Sequence, residues 1–94
     1  MAQKTIRAVV SGRVQGVCFR AYTREAALRY GVKGWVRNLP DGSVEALVSG
    51  DADRVERMIA WLHQGPPSSR VSRVTLEEIE PPDEQFTAFE IRYW

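Results

Sequence analysis

Thr5-Ile6-Arg7-Ala8-Val9-Val10-Ser11-Gly12-Arg13-Val14-Gln15-Gly16-Val17-Cys18-Phe19-Arg20 runs from an alternating strand, through a loop with two glycines, into an amphipathic helix. Ile6, Ala8 and Val10 alternate with Arg7 and Val9, which predicts a half-buried strand over 5–11. The helix is expected over 18–30. Its inward stripe is read as Phe19, Tyr22, Ala26 and Tyr30 with Thr23 and Ala27 beside it, and Gly31 is placed to end it in the left-handed conformation.

Working outward, Val32 to Asn38 reads as a second strand, and Leu39-Pro40-Asp41-Gly42 as a turn. Ser43 to Ser49 is a third strand with Val44, Ala46 and Val48 on one face. Asp51 or Asp53 can cap a second helix, whose Val55, Met58, Ile59 and Leu62 follow the i, i+3, i+4, i+7 spacing until Gly65-Pro66-Pro67 stops it. Val71 to Ile79 and, beyond Pro81-Pro82, the alternation of Phe89, Ile91 and Tyr93 predict two more strands. The order is strand, helix, strand, strand, helix, strand, with an extra C-terminal strand. This is the split βαβ pattern of ferredoxin-like α+β sandwiches, an antiparallel sheet with both helices on one face. A strand, helix, strand unit makes its two strands parallel, so Asn38 is expected at the same sheet edge as the Gly12 to Arg20 loop. With strand three between them, the two are about 10 Å apart, room for a small substrate and a water.

The loop has a chemical reading. A helix N-terminus carries roughly +0.5 of an elementary charge and unpaired N–H groups, so Arg20 in the first turn should cost about 0.3–1 kcal/mol unless an anion sits between them. Glycines allow a nest of converging N–H groups, and a guanidinium fork matches phosphate oxygens. The loop is neither a Walker A segment nor Gly-x-Gly-x-x-Gly.

Composition sets the limits. Ninety-four residues suffice for one core without staples, and 1–94 is expected to be a single domain. Thirteen Lys and Arg against twelve Asp and Glu give +1, so no global field recruits nucleic acid or an acidic membrane, and any anion binding must be local. The single cysteine, Cys18, excludes an internal disulfide framework or a cysteine metal cluster and fits a reducing compartment. The first residues lack the apolar stretch of a signal peptide or membrane span, which points to the cytoplasm, and a monomer is expected.

Gly12-Arg13-Val14-Gln15-Gly16-Val17 with Phe19-Arg20, then Gly34-Trp35-Val36-Arg37-Asn38 and Asp41-Gly42-Ser43-Val44, resemble the two signature segments of the acylphosphatase family. Element order, length and the terminal Phe89-Glu90-Ile91-Arg92-Tyr93 are similar as well, so the resemblance covers essentially the whole chain. It implies hydrolysis of the carboxyl–phosphate bond of small acyl phosphates without metal or cofactor. It also implies phosphate binding by Arg20 and water orientation by Asn38, with the backbone of Val14, Gln15, Gly16, Val17, Cys18 and Phe19 as the phosphate loop.

Bland readings stand beside these. The glycine loop alone could be a tight connection, Arg20 a surface arginine, and Asn38 is as readily a turn former as a catalytic amide. Arg13 and Arg37 read as solvated strand ends, and Trp35, Trp61 and Trp94 as packing or sheet-face residues. Cys18 has no histidine placed to activate it, and His63, in the last turn of the second helix, has no partner histidine. A non-catalytic anion-binding module and an RNA-binding domain are the alternatives. The second is disfavoured because the third strand carries Glu45 where an RNA-recognition strand is basic and aromatic.

Overall fold

The computed structural model describes residues 2–82 and 86–93, so the expected packing role of Trp94 lies outside the described residues. The elements are β1 (Gln3–Arg13), α1 (Phe19–Tyr30), β2 (Lys33–Asn38), β3 (Val44–Asp51), α2 (Ala52–Gln64), β4 (Arg70–Glu78) and β5 (Phe89–Arg92). They form one sheet in the order β4-β1-β3-β2-β5. The first four strands pair antiparallel, as the ferredoxin-like pattern requires, and β5 joins parallel to β2, which makes the five-stranded sheet mixed. No helix among the described residues is long and apolar enough to cross a membrane.

Alternation in the strands builds one buried face. Ile6, Ala8 and Val10 of β1 lie opposite Val48, Ala46 and Val44 of β3, and Val36 of β2 lies opposite Ala46. These residues share a single core with Phe19, Ala26 and Ala27 of α1 and Val55, Met58 and Leu62 of α2, so both helices cover the same face. The second helix follows its expected stripe. Asp51 occupies its N-cap position without a side-chain bond, Asp53 lies in its first turn, and Gly65 ends it.

The stripe of α1 is turned from the expected one. Its buried residues are Phe19, Thr23, Ala26 and Ala27, whereas Tyr22 is 41% exposed and Tyr30 packs only at the rim of the core. The physical reason is that Thr23 satisfies its hydroxyl locally, donating to the Phe19 carbonyl at 2.7 Å, and so can be buried in a helix interior.

The other face of the sheet corrects the expectation that Arg37 is a solvated strand end. Glu45 of β3 is buried, and Arg7 of β1 and Arg37 of β2 reach its two carboxylate oxygens from either side, Arg37 Nε at 2.6 Å. Arg37 and Arg92 also lie over the Trp35 ring, at 5.3 and 5.2 Å from its centroid. Burial of an acid is tolerable here because two guanidinium groups satisfy it. Glu45→Ala should lower the unfolding free energy by about 1–3 kcal/mol, the scale of hydrogen bonds to charged groups. The loss should stay below that of a fully buried pair, because Arg7 and Arg37 are 41% and 32% exposed and can turn to water. Urea unfolding measures it, and a change under about 0.5 kcal/mol, the range of ordinary surface substitutions, would contradict the role assigned to the clamp.

The topology places the site. Val10 of β1 and Asn38 of β2 are both register partners of Val44 in the intervening β3, so Asn38 stands two interstrand spacings from the strand that leads into the glycine loop.

Candidate active site

The segment between β1 and α1 is held open by backbone conformation. Gly16 has φ +76° and Cys18 φ +59°, while Val17 between them does not have a positive φ. Alternation of this kind turns successive N–H groups toward a common concavity. None of the N–H groups of residues 14–18 has a hydrogen-bond acceptor among the described residues, and α1 begins without an acidic residue in its first turn or a side-chain cap from Cys18. A site with this many unmet donors favours an anion.

The two glycines serve different ends. A Cβ on Gly16 would meet nothing within 4 Å, so its requirement is conformational. Gly12 does not belong to the cradle. Its φ is +126°, it sits at an irregularity of the β1–β4 pairing, and a Cβ there would lie 2.2 Å from the Arg70 carbonyl, so it permits close approach of two strands.

Arg20, in the first turn of α1, points its guanidinium over the same hollow. Nη1 donates to the Arg92 carbonyl at 3.3 Å, and the group lies 4.8 Å from the centroid of the Tyr93 ring. No carboxylate pairs with it among the described residues. The side chain is therefore aimed and only partly occupied, since a guanidinium has five N–H donors. Asn38 ends β2 on the far side of the cleft. Val14, Gln15, Gly16, Cys18, Phe19, Arg20, Ala21, Asn38, Ile91 and Tyr93 line a hollow of about 380 Å³. All the expected site residues thus lie on it except Val17, which is partly buried against the core. Phe19 lines the hollow although the residue is buried, its ring 6.1 Å from that of Trp61.

Three features were not anticipated from the chain alone. The Gln15 amide nitrogen donates to the carbonyls of Leu39 and Ser43, each at 2.8 Å, and so ties the loop to the turn after Asn38. Tyr93 and Ile91 of the C-terminal segment form a wall of the cleft. Asp41 stabilises the same turn, where bonds from the hydroxyl and the backbone N–H of Ser43 hold its carboxyl below the ordinary value. Only the last had a legible signal, Asp-Gly-Ser being a known type of Asx turn.

Other candidates lie elsewhere. His63 is exposed in the last turn of α2, with Nδ1 3.0 Å from the Ile59 carbonyl, and it does not line the cleft. Cys18 is exposed at the start of α1, and no histidine lines the cleft beside it. Among the described residues no three His, Cys, Asp or Glu side chains gather where they could hold a metal ion.

Comparison with known proteins agrees with the geometry. A family model described as Acylphosphatase matches residues 6–91. An acylphosphatase of Rubrobacter xylanophilus is 55% identical over 89 residues, covering 95% of this chain and 80% of the relative. Among solved structures, an acylphosphatase from Coxiella burnetii superposes with a TM-score of 0.89 at 40% identity, over 96% of this chain and 93% of that one. The Bacillus subtilis acylphosphatase superposes with a TM-score of 0.90 at 32% identity, over 96% and 99%. A match that spans both signature segments and the strands that bring them together leaves one conclusion, that this chain belongs to the acylphosphatase family.

Proposed function

We propose that the chain hydrolyses small acyl phosphates by holding the phosphoryl group in the backbone cradle of residues 14–19 beneath Arg20, while Asn38 orients the attacking water. Family membership carries the reaction class, since the family hydrolyses acyl phosphates. The residue assignment rests on one observation, the meeting of the 14–18 loop, Arg20 and Asn38 on a single cleft.

An acyl phosphate is already activated, because its leaving group is a carboxylate of low pKa, and protonation by a general acid gains little. In a loose transition state charge spreads over the three equatorial phosphoryl oxygens. The cradle N–H groups and the guanidinium are donors fixed in advance around that charge, and one such donor can be worth about 2.7–4 kcal/mol. The Asn38 amide can accept a bond from the water and donate another, which sets the line of attack without titrating. The water oxygen bonds to phosphorus as the bond to the acyl oxygen breaks, and the carboxylate leaves with the electron pair. No His, Asp or Glu lines the cleft among the described residues, so we assign the water's proton to a phosphoryl oxygen.

The test is a time course of benzoyl phosphate hydrolysis with and without EDTA. Turnover should be unaffected by the chelator, and, apart from ionisation of the substrate's own phosphoryl group, the catalytic rate constant should be flat between about pH 5 and 8, because neither an arginine nor an amide titrates there. Dependence on added metal, or a pH-dependent limb that disappears in His63→Ala, would overturn the mechanism.

A further inference from the structure

We infer that the Gln15 side chain is a positioning residue that sets Asn38 against the phosphate cradle; the inference rests on the role proposed for Asn38. The site is built from two segments far apart in the chain, and the 14–18 loop makes no backbone hydrogen bond through its own N–H groups among the described residues. Something must register the loop against the end of β2. Gln15 lies on the cleft, half-buried, and spends both amide hydrogens on the opposite segment, one on the Leu39 carbonyl and one on the Ser43 carbonyl, each at 2.8 Å. Both acceptors are carbonyls, so the amide orientation follows from its partners: reversed, its oxygen would face two oxygens.

The place of the clamp is what gives it a catalytic consequence. Leu39 follows Asn38 directly, and Ser43 precedes Val44, the register partner of Asn38. The Ser43 carbonyl already accepts from Leu39 N at 2.8 Å, and the Leu39 carbonyl from Gly42 N at 3.2 Å. Gln15 adds a second donor to each. The closing pair of the hairpin is thereby fixed to the loop that holds the phosphate, and the end of a hairpin, which otherwise frays, becomes the fixed support of Asn38. Attack on phosphorus tolerates little misplacement, and an error of about 1 Å can cost about 100-fold in rate.

The decisive experiment is a double-mutant cycle with Gln15→Met and Asn38→Ala, read in kcat, KM and the inhibition constant of inorganic phosphate. Methionine keeps the length and removes the donors. Gln15→Met is expected to lower kcat by about 10- to 100-fold while KM and phosphate inhibition stay within about threefold, and to have little further effect on kcat once Asn38 is alanine. Equal loss in both backgrounds, or a rise in KM with kcat kept, would overturn the inference and make Gln15 a support of the cradle alone. The single variant Asn38→Ala reports separately on the reading beneath it, and a wild-type rate there would remove both. Gln15→Glu guards against a folding defect in the methionine variant. Its protonated acid can donate one bond and its carboxylate none, so kcat in Gln15→Glu should rise as pH falls while the parent stays flat. A Gln15→Glu kcat as flat as the parent's would count against the clamp, and charge repulsion with substrate would show in KM instead.

Discussion

Arg20→Ala should abolish most turnover, by about 10³-fold or more, in a protein that remains folded. The magnitude follows from the scale of single fixed donors to phosphoryl and oxyanion transition states, where loss of one costs roughly 10²- to 10³-fold and loss of an arginine more. Stability should change by less than about 1 kcal/mol, because removal of the bond to the Arg92 carbonyl and of the Tyr93 contact is offset by relief of a cation at the helix N-terminus. Competition by inorganic phosphate should weaken together with the rate. Lysine is the informative replacement. It keeps the charge but loses the planar fork and the flat face set against Tyr93, so Arg20→Lys should recover less than a tenth of the lost activity. Benzoyl phosphate kinetics beside thermal unfolding checks both variants. A lysine enzyme near the parent rate would show that charge suffices and that the fork geometry carries nothing.

Much of the scaffold was legible because it depends on local periodicity. The alternation Ile6, Ala8, Val10, the 55, 58, 59, 62 spacing of α2, and the Asp41-Gly42 turn each encode an element within a few residues, and element order then implied that β1 and β2 are parallel. The parts that were not legible are contacts between segments distant in the chain. Glu45 looks like an outward acid on its own strand; only the register with β1 and β2 places Arg7 and Arg37 on either side of it. Gln15 is 24 and 28 residues from its two acceptors, and Arg20 is 72 from the carbonyl that helps aim it. The turned face of α1 had a different cause, since a tyrosine and a threonine at adjacent positions compete for burial and a local hydroxyl bond decides it.

The cleft joins two walls of different chemistry, and this separates what each residue can do. Backbone donors and Arg20 occupy one side; in the proposed mechanism they would act on charge present in both the bound substrate and the product phosphate, and so would contribute to ground-state binding as well as to the transition state. Asn38 stands across the gap on another strand, with no charge of its own. An uncharged amide there has little to offer a phosphate that already has the cradle, and much to offer a water that needs a direction.

Asn38→Ala should therefore separate binding from chemistry. The fold should hold, because the turn beyond Asn38 is closed by Leu39 N to the Ser43 carbonyl, by Gly42 N to the Leu39 carbonyl and by the Gln15 clamp, none of which uses the Asn38 side chain. Turnover should fall by about 10²-fold or more, the cost of a misplaced nucleophile, while the affinity for inorganic phosphate stays within about threefold of the parent. Calorimetric titration with phosphate and benzoyl phosphate turnover in the same preparation measure the two quantities, and thermal unfolding confirms that the variant is native. Should affinity and rate drop by the same factor in a folded protein, Asn38 would be a ligand of the ground-state phosphate, and the orientation of water would have to be assigned to another group on the cleft.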